Sequence, residues 1–512
     1  MNEEAFNVNI AQHVERARRS FPDKIALIFE GKTFTYKELN QMANRIANGL
    51  CGLGVKRGDR VALFLPNIPE FVISYLGIQK VGAIAVSINV MLKQDEVKFI
   101  LSDCGAVTLI TNEDVLDNVP LDVPHLIHIL IAEGEAGDRM SLAELMSTAS
   151  AEALALEMTW HDPAAIVYSS GTTGFPKGAT LSHGNVISNI QAKKKYCGMR
   201  SDDKAILFLP LFHCFGQNAV LNSMLNVGGT IVLHRKFESE PVLHSITNEN
   251  VTMFFGVPTI FILLLHKASP HDFKSVRYFF SAAAKMPVEI ARQWHERYGI
   301  VINEGYGLTE TSPFACYNHL HRFKSGSIGT PIDDVEVKIV SLEHGRDVAP
   351  GELGEIVIRG PNVMLGYWNR PDETAQAIRD GWLHTGDIGK MDDEGYFYIV
   401  DRLRDMVNVA GMKVYPAEVE NVIYRHPAVA GVAVYAAPDA VTGERVEAKI
   451  VLKGNHKVTE GEILALCRQH IASFKIPAAI EFVESLPKSK TGKILKRILR
   501  EQAQISPLKE RG

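Results

Sequence analysis

The sequence predicts an α/β protein: a large N-terminal domain of parallel-sheet α/β layers with a β subdomain, then a small α+β C-terminal domain. Three observations predict it. Short apolar runs alternate with helix-length segments over most of the chain. After about residue 325, short β-rich runs punctuated by Gly and Pro take over. The charged run Asp401-Arg402-Leu403-Arg404-Asp405 then sets off a final segment with a pattern of its own.

Taken in order, Asp59 to Pro66 reads as a strand, and Asn67 to Gly82 has the three-and-four apolar spacing of an amphipathic helix. Ala83 to Val90, Ala205 to Leu209, Thr230 to Leu233 and Val251 to Phe255 are strand-like again. Val335 to Ile339, Gly354 to Ile358 and Tyr396 to Val400 supply the β subdomain, about 325–402. Beyond the charged run come a helix near Ala417 to Arg425, strands near Val429 to Tyr435 and Glu447 to Leu452, and a helix near Glu460 to Ser473. The expected domains are 1–402 and 403–512. The basic stretch 488–502 reads by composition as a solvated face.

The 512 residues are 46% hydrophobic and 22% charged, which excludes a wholly disordered chain. With 54 basic and 59 acidic residues the net charge is −5, so no global positive stripe suggests nucleic acid as a partner. Six cysteines without a C-x-x-C pair build neither a disulfide framework nor a typical zinc site and read as reduced thiols. The longest apolar run, Val251 to Leu265, is interrupted by Gly256 and Pro258 and falls short of the roughly 20 residues a membrane span needs. With no secretory leader visible either, the expectation is a cytoplasmic protein without a transmembrane segment. No oligomeric state follows.

The strongest local signal is the run Ala165 to Gly178, an apolar strand entering a loop of hydroxyls and glycines: Ser169, Ser170, Gly171, Thr172, Thr173, Gly174, then Pro176-Lys177-Gly178. A polyphosphate needs many donors converging at close range. Glycine lets amides approach, Ser and Thr add hydroxyls, and Lys177 adds a cation. This is not the P-loop pattern, because Pro176 precedes the lysine and Gly178 follows it. Gly31-Lys32-Thr33 is a decoy, with Ala26 where the first glycine would stand.

This loop resembles the signature of the adenylate-forming superfamily: acyl-CoA synthetases, aryl-CoA ligases such as 4-coumarate–CoA ligase, luciferases and amino-acid adenylation domains. Phe34 to Leu39, Gly305 to Glu310, Thr385-Gly386-Asp387, Asp401-Arg402 and Pro487 to Lys493 resemble its other signatures, in the family's order. The resemblance implies two steps. A carboxylate attacks the α-phosphorus of ATP, giving acyl-AMP and pyrophosphate, and a thiol then displaces AMP. It also implies a C-terminal domain that swivels between the steps.

The roles that follow are implied by the resemblance. Glu310 would carry Mg²⁺ with Thr173, and Thr309 would stand at the α-phosphate. Glu304, Gly305 and Tyr306 would border the nucleotide, with Tyr306 against adenine. Asp387 would take the ribose hydroxyls, and Arg402 ribose or phosphate. Lys493 would bridge the carboxylate and the α-phosphate, where one cation pairs two anions. Only the motif distinguishes it from its neighbours Lys488, Lys490 and Lys496, which composition alone would leave solvated. Gly411 would shape the coenzyme A path. The hinge falls at Arg404, where relatives carry Asp or Lys. His213 matches an aromatic gate beside the acyl carboxylate; in an apolar run it could equally be a packed core residue, and no general base is needed for an acid already ionised.

Cys214 replaces the Asp that anchors an amino acid's ammonium in adenylation domains, so an α-amino acid is not expected. Gly307 stands where acetate-type relatives close the pocket with Trp, which leaves room for a longer tail. The lining, Phe212, Phe215, Val257, Ala282, Ala283 and Phe314, is apolar. Lys285 replaces a usual Pro and is expected to loosen its turn. These residues imply a ligase joining a medium- or long-chain fatty acid to coenzyme A. An aryl-CoA ligase, a fatty acyl ligase loading an acyl carrier protein, and a nucleotide-binding regulator without chemistry stay open.

Overall fold

The computed structural model describes residues 8–169, 176–319, 322–410, 412–439, 441–454, 456, 458–488 and 494–505, with the backbone alone at Ser169 and Arg404. Two large sheets form the body. The first has eight strands in the order 366–367, 177–182, 163–169, 84–87, 60–64, 108–111, 128–131 and 140–141. It is parallel from 163–169 to 140–141. The strand 163–169 pairs antiparallel with 177–182, the two strands that flank the hydroxyl-rich run in sequence.

The second sheet has nine strands, ordered 330–331, 316–317, 302–306, 278–281, 253–256, 204–207, 230–233, 25–29 and 32–35. From 302–306 to 25–29 every pairing is parallel. Parallel neighbours require crossover connections, and the helices that make them cover the sheet faces, so strands such as 84–87, 230–233 and 253–256 are buried at every residue.

The helix Pro69–Lys80 departs from the expected amphipathic pattern: every residue except Glu70 is buried. It packs on the helix Tyr36–Gly52 so closely that a Cβ at Gly77 would stand 2.5 Å from Ile46 Cγ2. A helix apolar all round is a core helix. Its one buried cation, Lys80, pairs with Glu15. The stretch Phe34 to Leu39 has a local explanation too. Thr35 and Glu38 form a reciprocal capping box, Glu38 N to Thr35 Oγ1 at 3.2 Å and Thr35 N to Glu38 Oε2 at 2.8 Å.

The β subdomain is antiparallel: 336–340, 354–359, 382–391 and 378–379, with 397–402 beside 382–391. The C-terminal sheet joins 412–414, 407–409, 443–452 and 429–439, with 479–482 parallel to 443–452. Strand 429–439 shows the period-two rule directly. Val432, Val434 and Ala436 enter one core with Val419, Ile423 and Ile463, while Ala433, Tyr435 and Ala437 enter another.

That second cluster corrects the reading of the basic stretch as a solvated face. Lys496–Ile505 is a helix whose Leu499 and Ala503 pack on Ala433, Tyr435 and Leu486. Lys496 pairs with Glu420 at 2.8 Å and is largely buried. A charge-rich tail hid an amphipathic helix. The six cysteines are free thiols, five of them buried. Among the described residues, no helix is long and apolar enough to cross a membrane.

Candidate active site

The last parallel strand, Ile302–Tyr306, delivers Glu304, Gly305 and Tyr306, and the chain turns at Gly307 into the short 3-10 turn Thr309–Thr311. Both glycines are required by close approach. A Cβ at Gly305 would stand 2.5 Å from the Phe280 ring, and one at Gly307 would stand 1.8 Å from the Pro313 carbonyl oxygen. The latter corrects the reading that Gly307 opens the pocket: the backbone of Pro313 and Phe314 fills that side. Burial pushes the Glu304 carboxyl up to about 8, against the pull of the Met286 amide and the Lys285 ammonium.

The Tyr306 hydroxyl donates to Asp387 Oδ2 at 2.7 Å, and Arg402 Nε meets Asp387 Oδ1 at 3.0 Å. Asp387 and Arg402 face each other across the antiparallel strands 382–391 and 397–402, which is why residues fifteen apart in sequence meet. Both oxygens of this buried carboxylate are therefore engaged. Gly386, at φ 68°, lies in the irregularity of the strand between His384 and Ile388, and the Asp387 amide donates to Thr385 Oγ1 at 3.0 Å.

Glu310 Oε1 accepts from the Tyr367 hydroxyl at 2.8 Å, a partner the sequence reading missed because it lies 57 residues on. Lys177 is tied to Glu373 and lies 5.4 Å from the centre of the Tyr367 ring. The loop lysine is thus paired within the protein. A single oriented carboxylate beside a phosphate-type loop fits Mg²⁺, which takes one or two carboxylates plus phosphate oxygens. Among the described residues, no group of three or more His, Cys, Asp or Glu side chains forms a metal cluster independent of a nucleotide.

His213 opens the third side. Its Nδ1 accepts from the Phe215 amide at 3.1 Å, which puts the proton of the neutral ring on Nε2. Cys214 Sγ lies 3.5 Å from Thr309 Oγ1, so the segment His213–Phe215 touches the turn that carries Thr309 and Glu310. Phe215–Asn222 is a π-helix, a form that recurs at functional sites, and its Gln217 donates to Ser87 at 2.7 Å.

Phe215 and Phe314 stand edge to face at 5.7 Å, and Phe280 and Phe314 at 5.2 Å. Val257 and Ala282 are buried and Phe212 is half-buried, while Ala283 is exposed and holds a left-handed φ of 69°. Lys285 does not simply loosen a turn. Its half-buried ammonium, drawn down by burial, faces Asp401, Glu304, Glu420 and Glu418.

Ser170, Gly171, Thr172, Thr173, Gly174, Gly411 and Lys493 lie outside the described residues, as do the side chains of Ser169 and Arg404. The flanking strands 163–169 and 177–182 pair antiparallel, and Arg404, the expected hinge, falls in the 3-10 turn Leu403–Asp405.

These parts gather at the end of the last parallel strand and beside the β subdomain of a two-sheet α/β body. The model of the AMP-binding enzyme family matches residues 14–368, and that of the AMP-binding enzyme C-terminal domain matches 418–493. The chain belongs to this family, within the adenylate-forming superfamily. It is 36% identical over 518 residues to a long-chain-fatty-acid–CoA ligase of Bacillus subtilis (strain 168), covering 94% of this chain and 92% of that protein. It is 37% identical over 490 residues to a feruloyl-CoA synthase of an Amycolatopsis species, covering 94% and 96%. The fold matches the crystal structure of the anthranilate CoA ligase AuaEII in complex with anthranoyl-AMP, with TM-score 0.92 and 32% identity over 97% of this chain and 98% of that one.

Proposed function

We propose that this chain is an ATP-dependent acid–thiol ligase that makes an acyl-AMP and transfers the acyl group to coenzyme A. In the first step a carboxylate oxygen bonds to the α-phosphorus and the bond to pyrophosphate breaks. In the second, the thiol sulfur bonds to the acyl carbon, the bond to AMP breaks and the thiol proton passes to solvent. The single observation that carries the reading is the junction of Tyr306, Asp387 and Arg402 beside Thr309 and Glu310. It gathers an aromatic face, a carboxylate suited to sugar hydroxyls, a guanidinium and a metal-type carboxylate.

In this reading the loop Ser169–Lys177 holds the phosphates, and Lys177 leaves Glu373 to do so. Asp387 accepts from the ribose, Tyr306 borders the adenine, and Arg402 steadies both. Mg²⁺ on Glu310 and Thr173 would supply charge neutralisation at the phosphates. Lys493 pairs the acid and the α-phosphate. His213 orients the acid, and Gly411 lies on the thiol path, with the C-terminal domain pivoting near Arg404 and the two domains parting at 402/403.

The acid has an apolar body. A medium- or long-chain fatty acid is supported by the lining and by the fatty-acid ligase among the relatives. The edge-to-face rings of Phe215, Phe280 and Phe314, and the feruloyl relative, favour an aryl acid as the second reading. The test is acid-dependent exchange of pyrophosphate into ATP across acetate through palmitate and the cinnamates. CoA-dependent and carrier-protein-dependent AMP release would follow. Exchange with none of these acids would overturn the reading in favour of a regulator without chemistry.

A further inference from the structure

The helix His183–Tyr196 buries Val186, Asn189, Ile190 and Lys193, residues that fall on one face at helical spacing. Lys193 is fully buried, and its ammonium nitrogen is ringed by aromatics: 4.3 Å to the centre of Phe255, 5.3 Å to Phe314, 5.4 Å to Phe280 and 5.6 Å to Phe215. Among the described residues it has no hydrogen-bond partner. The titratable group acting on it is the Cys197 thiol one turn along the same helix, itself beside the Tyr278 and Tyr317 hydroxyls. Burial draws the ammonium down to about 7, poised between its two forms.

Two of the four rings belong to the segments already placed at the site. Phe215 follows His213 and Cys214, and Phe314 follows Thr309 and Glu310 on the other wall. We propose that Lys193 ends the acid-binding channel and that the acid carries an oxygen acceptor at its far end, a hydroxyl, carbonyl or second carboxylate. This rests on the ligase reading above. Aromatic faces stabilise a cation but accept hydrogen bonds poorly, so the three N–H donors have no strong acceptor in the cage. A site that only needed filling is satisfied by an apolar side chain without the cost of an unpaired donor. A distal hydroxyl or carbonyl accepts from the amine in either form, and a distal carboxylate also holds the proton on it. In each case the acid's own carboxylate sits at the His213 gate, and its tail must part the contacting rings of Phe215 and Phe314 to reach the ammonium.

The test compares matched acids in pyrophosphate release with the full chain: decanoate against its ω-hydroxy derivative and against decanedioate, and cinnamate against para-hydroxycinnamate. The wild type is expected to favour at least one oxygenated member over its parent by about tenfold or more in kcat/KM, and the hydroxyl and carboxylate arms tell which oxygen is used. Lys193→Met is expected to erase that preference and improve the plain acids. Equal or better use of the plain acids by the wild type, a comparison that needs no variant, overturns the inference and leaves the ligase reading intact. So does an unchanged preference in Lys193→Met. Release with no acid at all overturns the ligase reading and the inference with it.

Discussion

The hydroxyl of Tyr306 donates to Asp387 across 2.7 Å and so joins the last parallel strand of the nine-stranded sheet to the antiparallel β subdomain. The two residues are 81 positions apart, both are buried, and Arg402 holds the other carboxylate oxygen.

Removing that hydroxyl in Tyr306→Phe leaves Asp387 with its arginine and one donor fewer. A hydrogen bond to a charged group is worth about 1.5–3 kcal/mol, and urea denaturation should read a loss of that order. AMP titration calorimetry should show several-fold weaker binding. Unaltered AMP affinity would confine Tyr306 to a structural part.

Tyr367 acts on the site through Glu310. In Tyr367→Phe the carboxylate loses the donor that orients it. The Mg²⁺ concentration for half-maximal pyrophosphate exchange should rise about tenfold, the low end of what outer-shell partners are worth. A change in kcat with no change in Mg²⁺ dependence would speak against this positioning role.

Lys493→Ala should lose acid-dependent pyrophosphate exchange and still convert supplied acyl-adenylate to the thioester in the presence of coenzyme A. Full exchange by this variant would remove Lys493 from the first step.

Lys193 also predicts a pH-dependent stability. Its ammonium is drawn from 10.5 to about 7 in the folded chain by burial. Below about pH 7 both folded and unfolded chains hold the proton, and the folded one bears the full cost of an enclosed charge. Between about pH 7 and 10 the unfolded chain holds more protons, so rising pH favours folding at this group. Lys193→Met should therefore be more stable than wild type at and below pH 7, on the order of 4 kcal/mol, with the advantage shrinking toward pH 10. Denaturation of both chains across that range checks it; an advantage that grew with pH would reverse the assignment.

Much of the architecture was legible because parallel sheets leave long apolar runs at regular intervals. The β subdomain and the C-terminal domain showed as changes in that texture. Pro69–Lys80 was misread because a spacing of three and four is also contained in a helix apolar on every side. The tail was misread because its lysines outnumber the few apolar residues, Leu499 and Ala503 among them, that dock it. Of the candidate site, the short runs Thr309-Glu310 and Thr385-Gly386-Asp387 could be picked out in the sequence. The site was illegible where partners come from distant strands, as with Tyr367 and Glu373. Gly307 was read as empty space, yet its missing side chain makes room for the backbone at Pro313. Lys193 did carry a signal: it is the one lysine of the Lys193-Lys194-Lys195 run that continues the buried spacing of Val186, Asn189 and Ile190.

Asp401 is the next-to-last residue of the body's last strand, 397–402, and its side chain reaches past the strand's end. Oδ1 accepts from the Arg402 amide at 2.7 Å, and Oδ2 from the amide of Ala417 at 2.8 Å, in the first turn of the helix Pro416–Ile423. Any swing of the cap about Leu403–Asp405 that carries this helix away breaks the second bond and hands both groups to solvent. Water repairs such a loss at small net expense. In the proposed pivot, losing this one bond would therefore add little to the energy that separates two postures, and the charges that Lys285 faces on the same helix would weigh more.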